Sequence, residues 1–282
     1  MLQITTLSST PTQTILDSFN LAFSDYSIPM KLSLDQLEAK MDTEDVNKEI
    51  SVGAFRDGKL VGFVLHGQRT VGNIKRAYNA GTGVIPEERG QGLTKRMYDF
   101  ILPKLKEDGF GEVMLEVISN NIPAIKSYEG IGFKKVREIV CFRGEIDIKS
   151  FNQEVKIKQV EAPNFDELEE IGEIEPTWQN SKETILNIGK NALCFLAFFD
   201  DKVCGFAIVN SSSNRLLQIA VKQEKRNQGI GSALLNHIKD QVSPTISIIN
   251  IDSRFESTLD FFERRNLGRF LVQREMGLVF RF

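Results

Sequence analysis

From Ser51 to Leu65 apolar and polar residues alternate on either side of Asp57-Gly58, the pattern of a β-hairpin closed by a tight turn. Its second arm reads Lys59-Leu60-Val61-Gly62-Phe63. The pattern returns roughly 140 residues later, which marks a domain-sized repeat. Leu193 to Val209 turns at Asp200-Asp201, and its second arm reads Lys202-Val203-Cys204-Gly205-Phe206. Each hairpin is followed by a strand that runs into a glycine-rich turn. Gly83-Val84-Ile85-Pro86 leads to Arg89-Gly90-Gln91-Gly92-Leu93, and Gln218-Ile219-Ala220-Val221 leads to Arg226-Asn227-Gln228-Gly229-Ile230-Gly231. Helical periodicity follows at Thr94 to Lys106 and at Ser232 to Asp240. Each half then offers a strand (Val113 to Ile118, Ile246 to Ile251), a short helix and a β-rich close (Phe133 to Arg143, Phe270 to Phe282). This order predicts an α+β fold in two copies, each a mixed, mostly antiparallel sheet flanked by helices. Polar residues between Asp147 and Gln153 interrupt the strand patterns, so the expected domains are 1–148 and 149–282.

Composition narrows the function. The chain has 282 residues, 41% hydrophobic and 26% charged, the balance of a soluble globular protein with room for two domains. A net charge of −3 argues against a nucleic-acid partner, whose phosphates call for a basic excess. No apolar run is long enough to span a bilayer. The first residues, Met1-Leu2-Gln3-Ile4-Thr5, lack the pattern of a signal peptide, so a cytoplasmic monomer or homodimer is expected. Cys141, Cys194 and Cys204 sit in apolar runs and read as core thiols. His66 and His237 lack metal-ligand spacing, and no metal is expected.

The glycine-rich turns carry candidate chemistry. Glycines let the backbone turn sharply and approach a ligand closely. The N–H groups at the start of the following helix converge on one place, which suits an anion. Arg89 through Thr94, and Arg226 through Ser232, are therefore candidate pyrophosphate cradles; a tight strand-to-helix connection is the alternative. Neither turn has the position or spacing of a Rossmann fingerprint or a Walker A loop.

At these residues the sequence resembles the GNAT superfamily of N-acetyltransferases. Its acetyl-CoA signature, R-x-x-G-x-G/A after a strand, stands whole at Arg226-Asn227-Gln228-Gly229-Ile230-Gly231. The first copy, Arg89-Gly90-Gln91-Gly92-Leu93-Thr94, has Thr94 at the last position. A second block, Asn121-x-x-Ala124-x-x-x-Tyr128-Glu129-x-x-Gly132-Phe133, looks like the family's N-x-x-A-x-x-x-Y-E-x-x-G-F. The resemblance covers nearly the whole chain as two copies. It implies acetyl-CoA as co-substrate and an amine-bearing acceptor. It implies a bulged strand ending at Val84 that splays from the strand at Val113, with pantetheine in the notch. Gly83, Val84 and Ile85, and Ile219 and Val221 in the second copy, would line it.

Acetyl transfer to an amine requires that the ammonium lose a proton and that the departing thiolate gain one. The resemblance makes Tyr128 the acid at the thioester sulfur. Glu116, a carboxylate in the apolar strand Met114-Leu115-Glu116-Val117-Ile118, is the candidate base; the other reading points it outward to water. The same Glu-to-Tyr spacing occurs in ribosomal-protein N-terminal acetyltransferases. Asn121 is placed to hold CoA or to cap a helix. Asp25 and Tyr26 are candidates for the acceptor, or plain loop residues. Aligned on the last helix, the second copy has Phe262 for Tyr128, Asn250 for Glu116 and Phe255 for Asn121. Turnover is therefore expected from the first copy alone. A non-catalytic acyl-CoA-binding or regulatory module is the alternative reading of the whole chain.

Overall fold

The computed structural model describes residues 1–25 and 30–281, so Tyr26 lies outside the described residues. The first elements are β1 (Leu2–Thr6), α1 (Thr12–Ala22), α2 (Leu34–Thr43), β2 (Val52–Arg56), β3 (Lys59–Val71) and β4 (Ile74–Val84). They continue with α3 (Leu93–Glu107), β5 (Glu112–Ile118), α4 (Ile122–Ile131), β6 (Lys134–Glu145) and β7 (Lys156–Val160). Then come α5 (Phe165–Ile171), α6 (Lys182–Ile188), β8 (Ala192–Phe199), β9 (Lys202–Asn210), β10 (Arg215–Val221) and α7 (Ile230–Gln241). The last are β11 (Thr245–Asp252), α8 (Glu256–Glu263) and β12 (Gly268–Val279).

Local chemistry explains the boundaries. Asp57 and Gly58 both take positive φ, 48° and 82°, which a two-residue hairpin turn with the right twist requires. Asp200 and Asp201 do the same at 53° and 56°. Ser33 and Gln36 form a reciprocal capping box that starts α2. Asn121 caps α4 by accepting from the Ala124 N–H at 3.2 Å, the helix-capping use of its amide.

Packing divides the chain into two compact units. The first is Met1–Val136 together with the described residues from Arg274 on, and the second is Arg137–Gln273. The units thus do not end where the sequence repeats end. The strand beside β5 is β12, whose last residues belong to the first unit.

In the first unit β1, β2, β3 and β4 pair antiparallel, and β4 and β5 run parallel. On one face α3 and α4 press Met97, Tyr98, Ile101 and Ile125 against Val113, Leu115 and Val117. On the other, Phe19 of α1 stacks on Phe63 with ring centroids 5.8 Å apart. In the second unit the strand order is β6-β11-β10-β9-β8-β7. There α7 and α8 bury Leu234, Ile238, Leu259 and Phe262 against the sheet. All three cysteines are buried.

Candidate active site

The notch in the first unit has two causes. A bulge at Ala80 shifts the β3–β4 register between Leu65↔Gly81 and His66↔Asn79. The β4–β5 pairing ends at Asn79↔Leu115, although β4 runs on to Val84 and β5 to Ile118. Beyond Asn79 the two strands part, leaving a gap bordered by unpaired backbone.

Asn79 organises the mouth of this gap. Its amide nitrogen lies 2.7 Å from the Thr82 hydroxyl, 2.9 Å from the Tyr98 hydroxyl and 3.4 Å from the Tyr128 hydroxyl. Tyr128 is thereby brought from α4 to the point where the strands separate. Its ring is fixed edge-to-face against Tyr98 and Phe133, at 6.2 and 5.7 Å between centroids. Burial pushes the Tyr98 hydroxyl well above the usual phenol range, so it stays protonated.

Glu116 sits on the opposite face of the sheet from Tyr128. Along β5, Val113, Leu115 and Val117 enter the core, while Met114 and Glu116 face the other way. Glu116 is half-buried on that side. The Tyr78 hydroxyl donates to Glu116 Oε2 at 2.5 Å. Burial pushes the Glu116 carboxyl up from 4.5 to about 8; the Tyr78 hydrogen bond opposes this, and Glu275 and Glu44 reinforce it. The Glu44 carboxylate is bound by Lys40 at 2.6 Å. Tyr78 and Asn79 are neighbours in β4 whose side chains reach opposite faces, so the groups of both faces meet where β4 and β5 part.

The glycine-rich turn lies at the far end of β4. Gly92, at φ 69°, forms the N-cap of α3, and a Cβ placed there or on Gly90 would meet nothing within 4 Å. The N-terminus of a 15-residue helix therefore opens onto free space, with Leu93 and Thr94 in its first turn. The Arg89 guanidinium is used internally. It donates to Val84 O at 3.2 Å, to Ala22 O at 2.8 Å and to both Asp25 oxygens at 2.6 and 2.8 Å. This pairing holds the Asp25 carboxyl below the usual carboxylate range. Asp25 thus anchors the turn rather than standing ready for an acceptor. Gln91 accepts from Arg56 at 3.0 Å.

The second unit repeats the framework with different side chains. The β9–β10 register shifts between Leu216 and Gln218, and β10 pairs with β11 only at Arg215 and Leu216. A cavity of about 480 Å³ opens there, between Ile219 and Val221 of β10, the turn at Arg226 and Asn227, and Phe255. Arg226 donates to Val221 O at 3.1 Å and pairs with Glu173 at 3.0 Å. Gly229 is the αL N-cap of α7, but Asn152 N lies 2.8 Å from where its Cβ would be. A Cβ on Gly231 would meet the Phe261 ring at 2.9 Å. Asn250 is buried at φ 62°, receives the Gln273 amide at 2.8 Å, and donates to Thr177 and Gln179 at 3.2 and 3.3 Å. Phe262 is fully buried against Phe142, and Phe255 gives α8 no side-chain cap.

Glu44, Tyr78, Asn79 and Glu275 were not identified from sequence. Tyr78 and Asn79 lie just ahead of the segment read as the strand before the turn, on the long hairpin arm Ile74–Val84 that pairs with β3. Among the described residues, no group of three or more His, Cys, Asp or Glu could hold a metal ion. No helix among them is long and apolar enough to cross a membrane. His66 is fully buried with Nδ1 2.9 Å from Ile50 O, and burial lowers its pKa to about 4.

Comparison with known proteins bears on the family and the fold. Residues 13–133 match the acetyltransferase (GNAT) family model, and residues 190–273 match a second GNAT-domain model. A mycothiol acetyltransferase of Thermobispora bispora is 32% identical over 127 residues, 43% of this chain and 42% of that protein. An N-alpha-acetyltransferase 30 of Dictyostelium discoideum is 29% identical over 91 residues, 32% of this chain and 49% of that protein. The chain thus matches less than half the length of these curated relatives. The fold of a tandem GNAT protein from the clavulanic acid biosynthesis pathway superposes with TM-score 0.71 at 11% identity, covering 99% of this chain and 98% of that one.

Proposed function

The chain belongs to the GNAT acetyltransferase family as a tandem of two GNAT folds, and from that premise we propose that its first unit transfers an acetyl group from acetyl-CoA to an amine. The observation that carries this reading is the junction at Asn79. There a tyrosine hydroxyl and a half-buried carboxylate reach one strand gap from its two faces, with an open helix N-terminus beyond.

The open cradle of Gly90, Gly92 and the α3 N-terminus suits the pyrophosphate of acetyl-CoA. The acceptor enters as an ammonium ion, and Glu116 takes one proton from it. The amine nitrogen then bonds to the thioester carbonyl carbon and the carbon–sulfur bond breaks. Tyr128 gives its hydroxyl proton to the leaving sulfur and regains one from the new amide nitrogen. The products are the N-acetylated amine and CoA, with one proton left on Glu116 for solvent. A base near pKa 8 combines proton affinity with a useful ionised fraction near neutrality.

In the second unit the corresponding positions hold a phenylalanine and a fully hydrogen-bonded asparagine, which supports a packing or binding role without turnover. The test is a mass-spectrometric screen of acetyl-CoA with a varied amine panel, run on the wild type and on Tyr128→Phe. Acetylated product lost or strongly reduced in the variant supports the reading. Equal product from both, with chemistry rate-limiting, overturns it; no product from any amine favours a non-catalytic acyl-CoA-binding module.

A further inference from the structure

Glu116 stands where the β4–β5 ladder stops. The last rung is Asn79↔Leu115, so Glu116 is the first β5 residue past the paired backbone. Tyr78 pairs with Met114 one rung earlier. Side chains alternate along a strand, which puts Tyr78 on the face of Met114 and Glu116. The Tyr78 side chain, in a residue only 2% exposed, reaches past the end of the ladder, and its hydroxyl donates to Glu116 Oε2 at 2.5 Å. That is the length of a hydrogen bond to a charged oxygen. Burial pushes the Tyr78 hydroxyl well above the usual phenol range, and the Glu116 charge adds to this, so the phenol keeps its proton and serves as a donor. Among the described residues, Glu116 Oε1 has no hydrogen-bond partner.

We propose that Tyr78 is a positioning residue for the reaction above: by holding Oε2 it fixes the Glu116 carboxylate at the mouth of the strand gap and leaves Oε1 to take the acceptor's proton. This rests on the acetyl-transfer reading of the first unit. An unheld glutamate side chain samples several rotamers, and the hydrogen bond selects one. The same bond favours the ionised carboxylate, against the burial that disfavours it. The other charged or titratable groups facing Glu116 are Glu44 and Lys40 from α2 and Glu275 from β12. Glu44 and Glu275 raise its proton affinity, Lys40 lowers it, and none of the three is hydrogen-bonded to it. Tyr78 exchanges no atom with substrate in this scheme; it acts through Glu116, while Tyr128 serves the sulfur from the other face.

Tyr78→Phe removes the hydroxyl and keeps the ring, which separates this role from plain packing. In the folded variant the Glu116 titration midpoint, followed by NMR of side-chain-labelled glutamate, is expected to rise by about one pH unit as the donor to the charged form is lost. The acid limb of kcat/KM moves up with it. Above both midpoints kcat falls about 10- to 100-fold while KM for acetyl-CoA stays put. In a Glu116→Gln background the same change lowers kcat less than about twofold, because the group it positions no longer acts as a base. A Glu116 midpoint that is unmoved or lowered in Tyr78→Phe overturns the proposal, and so does an equal loss of kcat in both backgrounds. If Tyr78→Phe does not fold, the wild type decides: the Tyr78 ring-carbon signal has to shift with the Glu116 midpoint, and a signal flat across it overturns the proposal. Absence of turnover in the wild type strikes the acetyl-transfer reading instead, and the NMR midpoint still decides the pairing.

Discussion

Replacing Glu116 with Gln should make the protein more stable at neutral pH, and the gain should vanish in acid. The carboxyl has an ordinary value of 4.5 and is pushed up to about 8 when folded, first by burial. Between those values the folded chain binds more protons than the unfolded chain. Stability therefore falls as pH rises through that window and is fully present only below it. From 4.5 to 7, at about 1.36 kcal/mol per pH unit, the penalty reaches about 3 kcal/mol. Partial access to solvent reduces this to about 2 kcal/mol. Glutamine cannot ionise, yet its amide oxygen can still accept the Tyr78 hydroxyl. Urea unfolding of both proteins at pH 5, 6, 7 and 8 measures the difference. The two should agree at pH 5 within about 0.5 kcal/mol and diverge by about 2 kcal/mol at pH 7. A constant offset at all four values would show that Glu116 ionises normally.

Tyr128→Phe should lower kcat about 10- to 1000-fold with little change in acetyl-CoA affinity, measured by steady-state kinetics and calorimetry. Acetyl-CoA at a hundred times its dissociation constant should stabilise the protein by about 2.7 kcal/mol, and a thermal shift absent at millimolar ligand counts against the cradle. Asn250→Ala should cost about 1 to 3 kcal/mol in unfolding experiments, because Gln273, Thr177 and Gln179 lose a buried partner, while acetyl transfer by the folded protein persists. Wild-type kcat/KM should climb through neutral pH with a midpoint near pH 8 as Glu116 ionises; a limb near pH 5 would point to another base.

The parts legible in the sequence were those governed by neighbours along the chain. Asp57-Gly58 specifies a hairpin because the turn needs two positive φ angles. Gly92 and Gly229 mark helix starts for a similar reason. Tyr128 was found through a motif whose spacing is that of one helix and its flanks. Glu275 could not be found that way. Its place near Glu116 depends on β12 lying beside β5, and the two strands are far apart in the sequence. The tie between Asp25 and Arg89 was hidden for the same reason, since the partners are 64 residues apart. The alternation of β5 placed Glu116 off the core, but only the neighbouring elements supply Tyr78 and Glu44 around it.

The makeup of the first unit bears on how the chain is made. Its opening segment, through Val136, leaves the ribosome well before Arg274 does. At about 5–20 residues per second, the roughly 140 residues between them take some 7 to 30 seconds to synthesise. Throughout that time the free edge of β5 lacks the β12 residues that cover it in the finished protein, and Glu116 lacks Glu275. An unpaired strand edge invites mispairing. Chaperone demand should therefore concentrate in this interval, and β5 should be more sensitive to protease in chains ending before residue 274 than in the finished protein.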